Sequence, residues 1–441
     1  MFIGVPQFIA PHTPMDVSCL GISDIDGDGA NELLLAAQGS PHRVLKWQRG
    51  ALRNSPMHFF EAHSHDALAM ATADINGDGR EELYLLNTAP QADQLLNFCD
   101  LRGPVNLLNT PAHRYPQSGR AVAAWDRRGT GRYSLVIAHD GQLLRCLECT
   151  VNGKLVDVAP GLNWNTVHSA QAFCIGPLHE ERAEVFIVQA NQANAFYTNA
   201  GRNIASELHL EDAAEFTCAG LALDADNDGR LDLVLANRDG VHRLMIRQPQ
   251  GHFRDRATPA FAMPSHCIAV VAADFNNDGR EELFFLNAGE PNRLFVQNAS
   301  GAWQWHDAGE AVEADAMSSA MAVLDADGDG VLELLIAHRG ERPLSMFKVP
   351  GAAEQNWLRI LPRTRHGTPA RGASVRLEAD GRTQIRIIES GGQPGVVEPV
   401  AHFGLGSCAS VERIRIQWPD GATQSLKNPA IRQLHDVPYP H

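Results

Sequence analysis

The sequence predicts an all-β protein, a seven-bladed β-propeller followed by a small C-terminal β-domain. Three observations carry that expectation. An acidic, glycine-containing block recurs seven times, short apolar runs flank each copy, and 38 Gly with 25 Pro supply the turns that many short strands need. A single core stops growing near about 250 to 300 residues. The 441 residues therefore fit one large repeat domain over 1–352 and a smaller unit over 353–441.

The clear copies begin at Asp24 (DIDGDGANEL), Asp74 (DINGDGREEL), Asp224 (DADNDGRLDL), Asp274 (DFNNDGREEL) and Asp325 (DADGDGVLEL). Two decayed copies, DRRGTGRYSL from Asp126 and GPLHEERAEV from Gly176, fall on the same grid, with spacings of 50, 52, 50, 48, 50 and 51. Within a unit an apolar run such as Ile268 to Ala273 leads into the loop. The runs Leu283 to Leu286, Arg293 to Gln297 and Trp303 to His306 follow, which makes four antiparallel strands per blade. The last unit runs out after its third strand, Leu344 to Val349. The unpaired N-terminal run Phe2 to Ile9 is expected to complete it and so remove the exposed edge of an open ring.

Positions one, three, five and nine of each intact loop carry carboxylates or Asn, and position seven offers a backbone carbonyl. Calcium takes about six to eight hard oxygen ligands, and this spacing supplies them. The five expected sets are Asp24, Asp26, Asp28, Ala30 and Glu32; Asp74, Asn76, Asp78, Arg80 and Glu82; Asp224, Asp226, Asp228, Arg230 and Asp232; Asp274, Asn276, Asp278, Arg280 and Glu282; and Asp325, Asp327, Asp329, Val331 and Glu333. About five Ca2+ ions are expected, each rigidifying one hairpin. In the third copy Arg128 and Thr130 replace ligands, and in the fourth Gly176 and Leu178 do, so both are expected to be metal-free.

The formal net charge is −15, and about ten positive charges from five divalent ions would bring it near −5. No cationic stripe exists to bind nucleic acid. No apolar span is long enough to cross a membrane as a helix, and Met1 to Pro14 lacks the Lys or Arg of a secretory signal, so a cytoplasmic location is expected. The eight Cys show no disulfide-framework spacing, and Cys146 and Cys149 lie three apart in a strand-like run, on opposite faces.

The loops and their flanking strands resemble the FG-GAP or VCBS-type repeat, which also builds integrin alpha-subunit propellers, over roughly Gly4 to Pro350. Farther on, Asn356-Trp357-Leu358, Gly372-Ala373-Ser374-Val375, Asp380-Gly381-Arg382-Thr383-Gln384, His402-Phe403-Gly404-Leu405-Gly406 and Trp418-Pro419-Asp420-Gly421 resemble the ASPIC/UnbV domain. In that order the segments make the chain similar to the cartilage acidic protein family and its bacterial relatives, some of which are associated with secondary-metabolite gene clusters. The resemblance implies calcium binding and a propeller. The turn Arg365 to Ala373 departs from the family pattern. Independently, Val375 and Leu377 alternate with Arg376 and Glu378, and Ile414, Ile416 and Trp418 with Arg413, Arg415 and Gln417, as half-buried strands do.

The innermost strand of each blade directly precedes the acidic loop, so its start is expected at the opposite mouth of the channel. Eight residues before each loop stand Asp16, Asp66, Ser118, His168, Phe216, His266 and Met317, with His65 and Arg120 adjacent. Two functions follow from the sequence. One is a calcium-stabilised binding module for a protein, glycan or small-molecule partner. The alternative is a calcium-dependent enzyme, such as a cyclase or other tailoring activity of secondary metabolism, with His65, Asp66, His168 and His266 as acid–base groups in an enclosed pocket.

Overall fold

The computed structural model describes all residues except 12, 56–65, 99–102, 109–116, 211–214, 299, 315, 393 and 441. Seven sheets form a ring. Blade 1 comprises Asp16–Ser23, Glu32–Gln38, Arg43–Gln48 and Ala51–Asn54, and blade 2 comprises Ala67–Ala73, Glu82–Asn87, Gln94–Asn97 and Val105–Asn106. Blade 3 contains Gly119–Trp125, Ser134–His139, Arg145–Cys149 and Leu155–Asp157. Blade 4 has three strands, Ala170–Gly176, Glu184–Gln189 and Ala195–Tyr197. Its expected fourth strand is replaced by a turn, where Asn203 makes a lone bridge to Tyr197 and Ile204 and Leu208 pack inward. Blade 5 runs Thr217–Leu223, Asp232–Asn237, Arg243–Arg247 and Phe253–Asp255; blade 6 runs Cys267–Ala273, Glu282–Asn287, Arg293–Gln297 and Trp303–His306.

Blade 7 closes the circle. Ser318–Leu324, Glu333–His338 and Leu344–Lys348 are joined by Ile3–Gly4 from the N-terminus, with Ile3 opposite Lys348 and Gly4 opposite Phe347. The ladder is shorter than the run Phe2 to Ile9. Phe2 instead turns inward, 1% exposed and edge-on to Phe275 at 4.9 Å.

Apolar burial lies between blades rather than in one centre. Seven clusters each bridge two neighbours, as where Leu33 and Leu35 of blade 1 meet Leu335 and Met346 of blade 7. The second strand of each blade is flanked on both faces, which is why ELYLLN or ELFFLN reads as a continuous apolar run. Every innermost strand carries a register shift near its start, such as Val17/Cys19 or Cys267/Ala269, which adds local twist. Cys146 and Cys149 face different clusters, and burial pushes the Cys146 thiol up to about 12.

The C-terminal unit is two sheets around an eighth cluster. Asn356–Pro362 lies between Ala401–Gly406 and Leu434–Val437, and the second sheet runs in the order Arg382–Ile387, Ser374–Ala379, Arg413–Gln417, Thr423–Lys427. Val375, Leu377, Ile414 and Ile416 are fully buried, as their alternation predicts. This unit sits on the acidic-loop face and sends a tongue into the channel. There Gly395–Val397 pairs in parallel with the innermost strand of blade 7. Ala124 N–H donates to Ser390 O at 2.8 Å and Phe173 N–H to Gly392 O at 3.1 Å, which ties the tongue to blades 3 and 4. Two glycines in the tongue are forced by contact: a Cβ on Gly392 would lie 2.8 Å from Ala123 Cβ, and one on Gly395 2.7 Å from Val271 Cγ1.

The acidic loops and the capped channel

Each intact loop is built on the same three backbone bonds. The position-one carboxylates Asp24, Asp74, Asp224, Asp274 and Asp325 accept the N–H of Gly29, Gly79, Gly229, Gly279 and Gly330 at 2.9–3.0 Å. The position-nine carboxylates Glu32, Glu82, Asp232, Glu282 and Glu333 reach back to the N–H of Ile25, Ile75, Ala225, Phe275 and Ala326 at 2.8–2.9 Å. At position five, Asp28, Asp78, Asp228, Asp278 and Asp329 accept from Ala30, Arg80, Arg230, Arg280 and Val331 at 2.9–3.0 Å. These bonds hold the carboxylates facing into the loop, and Asp74, Asp224, Asp232 and Asp274 accept a backbone N–H on each of their oxygens.

Those inward oxygens converge. Asp24, Asp26 and Glu32; Asp224, Asp226 and Asp232; Asp274, Asp278 and Glu282; and Asp325, Asp327 and Glu333 each present ligand atoms within 4.8 Å of one another. In blade 2 Asn76 donates to Asp78 at 2.9 Å and also to Glu82, and exchanging its amide N and O presents an acceptor there instead. Burial pushes the position-nine acids up, Glu82 and Glu333 to about 8, Glu32 and Asp232 to about 7. Burial also lifts Asp224 to about 6 and Asp274 to about 7.

The oxygen-only donor set fits a hard divalent cation. Two buried oxygens, Asp24 Oδ1 and Asp325 Oδ1, lack any hydrogen-bond donor. Blades 1 and 7 already place a cation among these oxygens. Lys46 Nζ lies 2.7 Å from Asp26 and 2.9 Å from Glu32, and Lys348 Nζ lies 2.8 Å from Asp329 and 2.6 Å from Glu333. Both lysines come from the third strand, opposite position nine, a register that loop spacing does not reveal. Blade 3 inverts the charge at that place: Arg127 and Arg128 of the loop both pair with the third-strand Glu148, each at 2.7 Å. In blade 4, where Gly176 and Leu178 stand at positions one and three, the loop nevertheless gathers His179, Glu180 and Glu184.

Acids held above their unfolded range by burial take up protons on folding. In the metal-free chain this contribution to stability therefore declines as pH rises from about 4.5 through the value of about 8 at Glu82 and Glu333. A divalent ion displaces those protons and cancels the loss. Melting curves with and without calcium are expected to diverge between about pH 6 and about pH 8. A gap that narrows toward alkaline pH contradicts this electrostatic account.

Of the expected acid–base residues, His65 lies outside the described residues. His168 is 4% exposed, its two ring nitrogens occupied by Gln189 Oε1 at 3.1 Å and Tyr197 OH at 3.0 Å, and burial lowers its proton affinity. His266 is half-buried and pairs with Asp239 at 3.1 Å, while Asp66 accepts the N–H of Gly39 at 2.8 Å. Asp66 and His266 are thus engaged with the preceding blade, and His168 within its own. A cavity of about 130 Å³ lies elsewhere, between blades 4 to 6 and the C-terminal unit, and its lining includes Phe173, Val271, Glu281, Arg386, Glu389 and His402. None of Asp66, His168 and His266 lines it.

The C-terminal unit touches the loop face of all seven blades. Arg371, 4% exposed, donates to Glu81 at 2.6 and 3.0 Å and to Thr72 at 2.8 Å in blade 2, and to Ile22 O at 3.3 Å in blade 1. Tyr133 of blade 3 donates to Pro369 O at 3.1 Å, Gln417 reaches Glu181 O of blade 4 at 2.8 Å, and Arg376 reaches Gly229 O of blade 5 at 2.8 Å. In blade 6 Gly404 N–H donates to Asp274 at 3.0 Å, and in blade 7 Arg359 donates to Asp325 at 2.7 Å. Two of these partners, Asp274 and Asp325, are position-one loop carboxylates, so cap and loops share residues.

Residues 24–85, 224–285 and 274–336 match the FG-GAP-like repeat, and residues 363–441 match the family described as ASPIC and UnbV. Fold and loops together define an FG-GAP β-propeller carrying an ASPIC/UnbV domain. The chain is 35% identical over 503 residues to cartilage acidic protein 1 of Xenopus tropicalis, covering 100% of this chain and 77% of that one. Against cartilage acidic protein 1 of Homo sapiens it is 32% identical over 473 residues, covering 95% and 71%. The chain belongs to the cartilage acidic protein family. A lectin of Burkholderia pseudomallei shares the fold, with a TM-score of 0.52 at 13% identity over 76% of this chain and 99% of the lectin.

Proposed function

We propose that this chain is a calcium-stabilised propeller that binds a protein or glycan partner on the face opposite its C-terminal unit. The observation that carries this reading is the asymmetry of the ring: the cap engages the loop side of every blade, and among the described residues none of these bonds reaches the other face. On that free face the apolar side chains Leu143, Val167, Val241, Met263 and Met317 stand 41–61% exposed, in strand starts and connections contributed by several blades. Apolar groups gathered on one surface mark an interaction site more often than scattered ones do. Calcium would be held by the acidic sets of the intact loops, where it supplies charge neutralisation and rigidity.

The enzyme reading asks for an enclosed pocket built from the mouth residues. His168 is committed to two internal hydrogen bonds and the cavity lies at the other end of the channel, so binding is preferred. A glycan array and a cross-linking screen of the full chain, each repeated with Leu143→Asp, Val241→Asp and Met317→Asp combined, test the surface. The reading expects every specific hit to weaken about tenfold or more in the triple variant, the loss that two or more buried apolar contacts imply. Hits that survive intact place the partner elsewhere.

A further inference from the structure

Blade 4 departs from the repeat in a way that creates a different donor set. Positions one and three are Gly176 and Leu178, which removes two of the oxygens a calcium loop needs. Position nine is retained as Glu184, fully buried, and its Oε2 accepts the N–H of His179 at 2.6 Å and of Glu180 at 3.0 Å. Those bonds bend the loop so that the His179 ring and the Glu180 carboxylate come to the same place, each offering a ligand atom within 4.8 Å of the others. Glu184 Oε1 and His179 Nδ1 face one another 4.0 Å apart, and neither has a hydrogen-bond partner. A buried carboxylate oxygen left without a donor is costly unless something fills the gap.

We propose that His179, Glu180 and Glu184 form a binding site for a transition-metal ion of the zinc class, distinct from the calcium loops. Imidazole nitrogen suits zinc, copper and nickel, whereas calcium and magnesium prefer oxygen alone. Zinc takes nitrogen and carboxylate oxygen at about 2.0–2.2 Å, which sets tetrahedral ligand atoms about 3.4 Å apart, so one ion bridges His179 Nδ1 and Glu184 Oε1 with a closure of about 0.6 Å. Three protein ligands leave a fourth position for water or for a side chain of a partner. Arg247 stands beside the loop and opposes a cation, but its Nη groups are occupied by Leu178 O at 3.2 Å and His179 O at 2.9 Å, where they brace the turn.

The test uses the full chain, stripped with chelator and dialysed against micromolar zinc in a large excess of calcium, which keeps the acidic loops occupied. Metal analysis is expected to find one zinc per wild-type chain, lost in His179→Ala and bound about tenfold or more weakly in Glu180→Ala. Calcium content and the calcium-dependent melting shift stay unchanged in both variants, so failure of this site is separable from failure of the calcium reading. Equal zinc in wild type and His179→Ala overturns the proposal, as does a wild type that retains none. If His179→Ala misfolds by circular dichroism, Glu180→Ala decides, because its side chain is exposed. Anomalous diffraction at the zinc edge should then peak between His179 Nδ1 and Glu184 Oε1, and a peak only at other residues overturns the assignment.

Discussion

Stripping divalent cations is expected to lower the melting temperature by about 10 °C or more, with recovery on adding calcium but not sodium. The size follows from mass action. Each site that binds only the folded chain contributes about 2.7 kcal/mol when free calcium stands a hundredfold above its dissociation constant. The loops do not contribute alike. Among the described residues, blades 2 and 6 have no lysine within their acid sets and blade 5 pairs Asp228 with its own Arg230, whereas Lys46 and Lys348 already neutralise those of blades 1 and 7. Asp274→Asn should therefore reduce the calcium-dependent shift, and it also weakens the bond to Gly404 that holds the cap. Lys348→Met should enlarge the shift, because Asp327, Asp329 and Glu333 all lose the ammonium they pair with. A melting temperature indifferent to chelator would remove calcium from the account of this fold, and leave Lys46, Lys348 and Arg359 as counter-charges within the loops of blades 1 and 7.

Replacing Arg371 with Ala is expected to cost about 3–5 kcal/mol, more than any single loop residue. The guanidinium is 4% exposed and fills a slot between blades 1 and 2, where it bonds both oxygens of the buried Glu81 and the hydroxyl of Thr72. Glu81 also accepts from Ser23 at 2.7 Å, one bond that cannot balance a buried charge. The double variant Arg371→Met, Glu81→Leu removes both charges and should recover most of the loss, since apolar pairs of similar volume substitute well for buried ion pairs. Urea denaturation measures the difference. Hydrogen exchange should locate it, with faster exchange in the tongue around Gly395–Val397 of the single variant. An Arg371→Ala protein within about 0.5 kcal/mol of wild type would show that the cap is held by its apolar contacts instead.

Much of the ring was legible because its signal is repetition. Seven copies near a 50-residue period fix the blade number, and the spare run at Phe2 finds its place because a three-stranded last blade leaves an edge. Loop positions one, five and nine are equally legible, since the same three residue types return in register and form the same three bonds. The acid–base reading of the channel mouth drew on strand starts alone. Strand order says that His168 and His266 share a face, but not that Tyr197 and Gln189 enclose one while the other meets solvent. The blade 4 cluster is not legible from the repeat, because Gly176 and Leu178 remove the ligands at positions one and three and His179 stands at position four, which carries no ligand in the other loops.

The sequence by itself determined the blade count, the acidic loops, the closure of the ring by its own N-terminus and the β character of the tail, because each depends on local pattern or on a fixed repeat. Tertiary structure alone decided where the cap sits, that its tongue threads the channel, and which loops face a lysine. All of these rest on contacts between residues as distant as Glu81 and Arg371, or on which third-strand side chain stands opposite position nine. Pairing across such separations is set by the packing of whole sheets, and no local pattern records it.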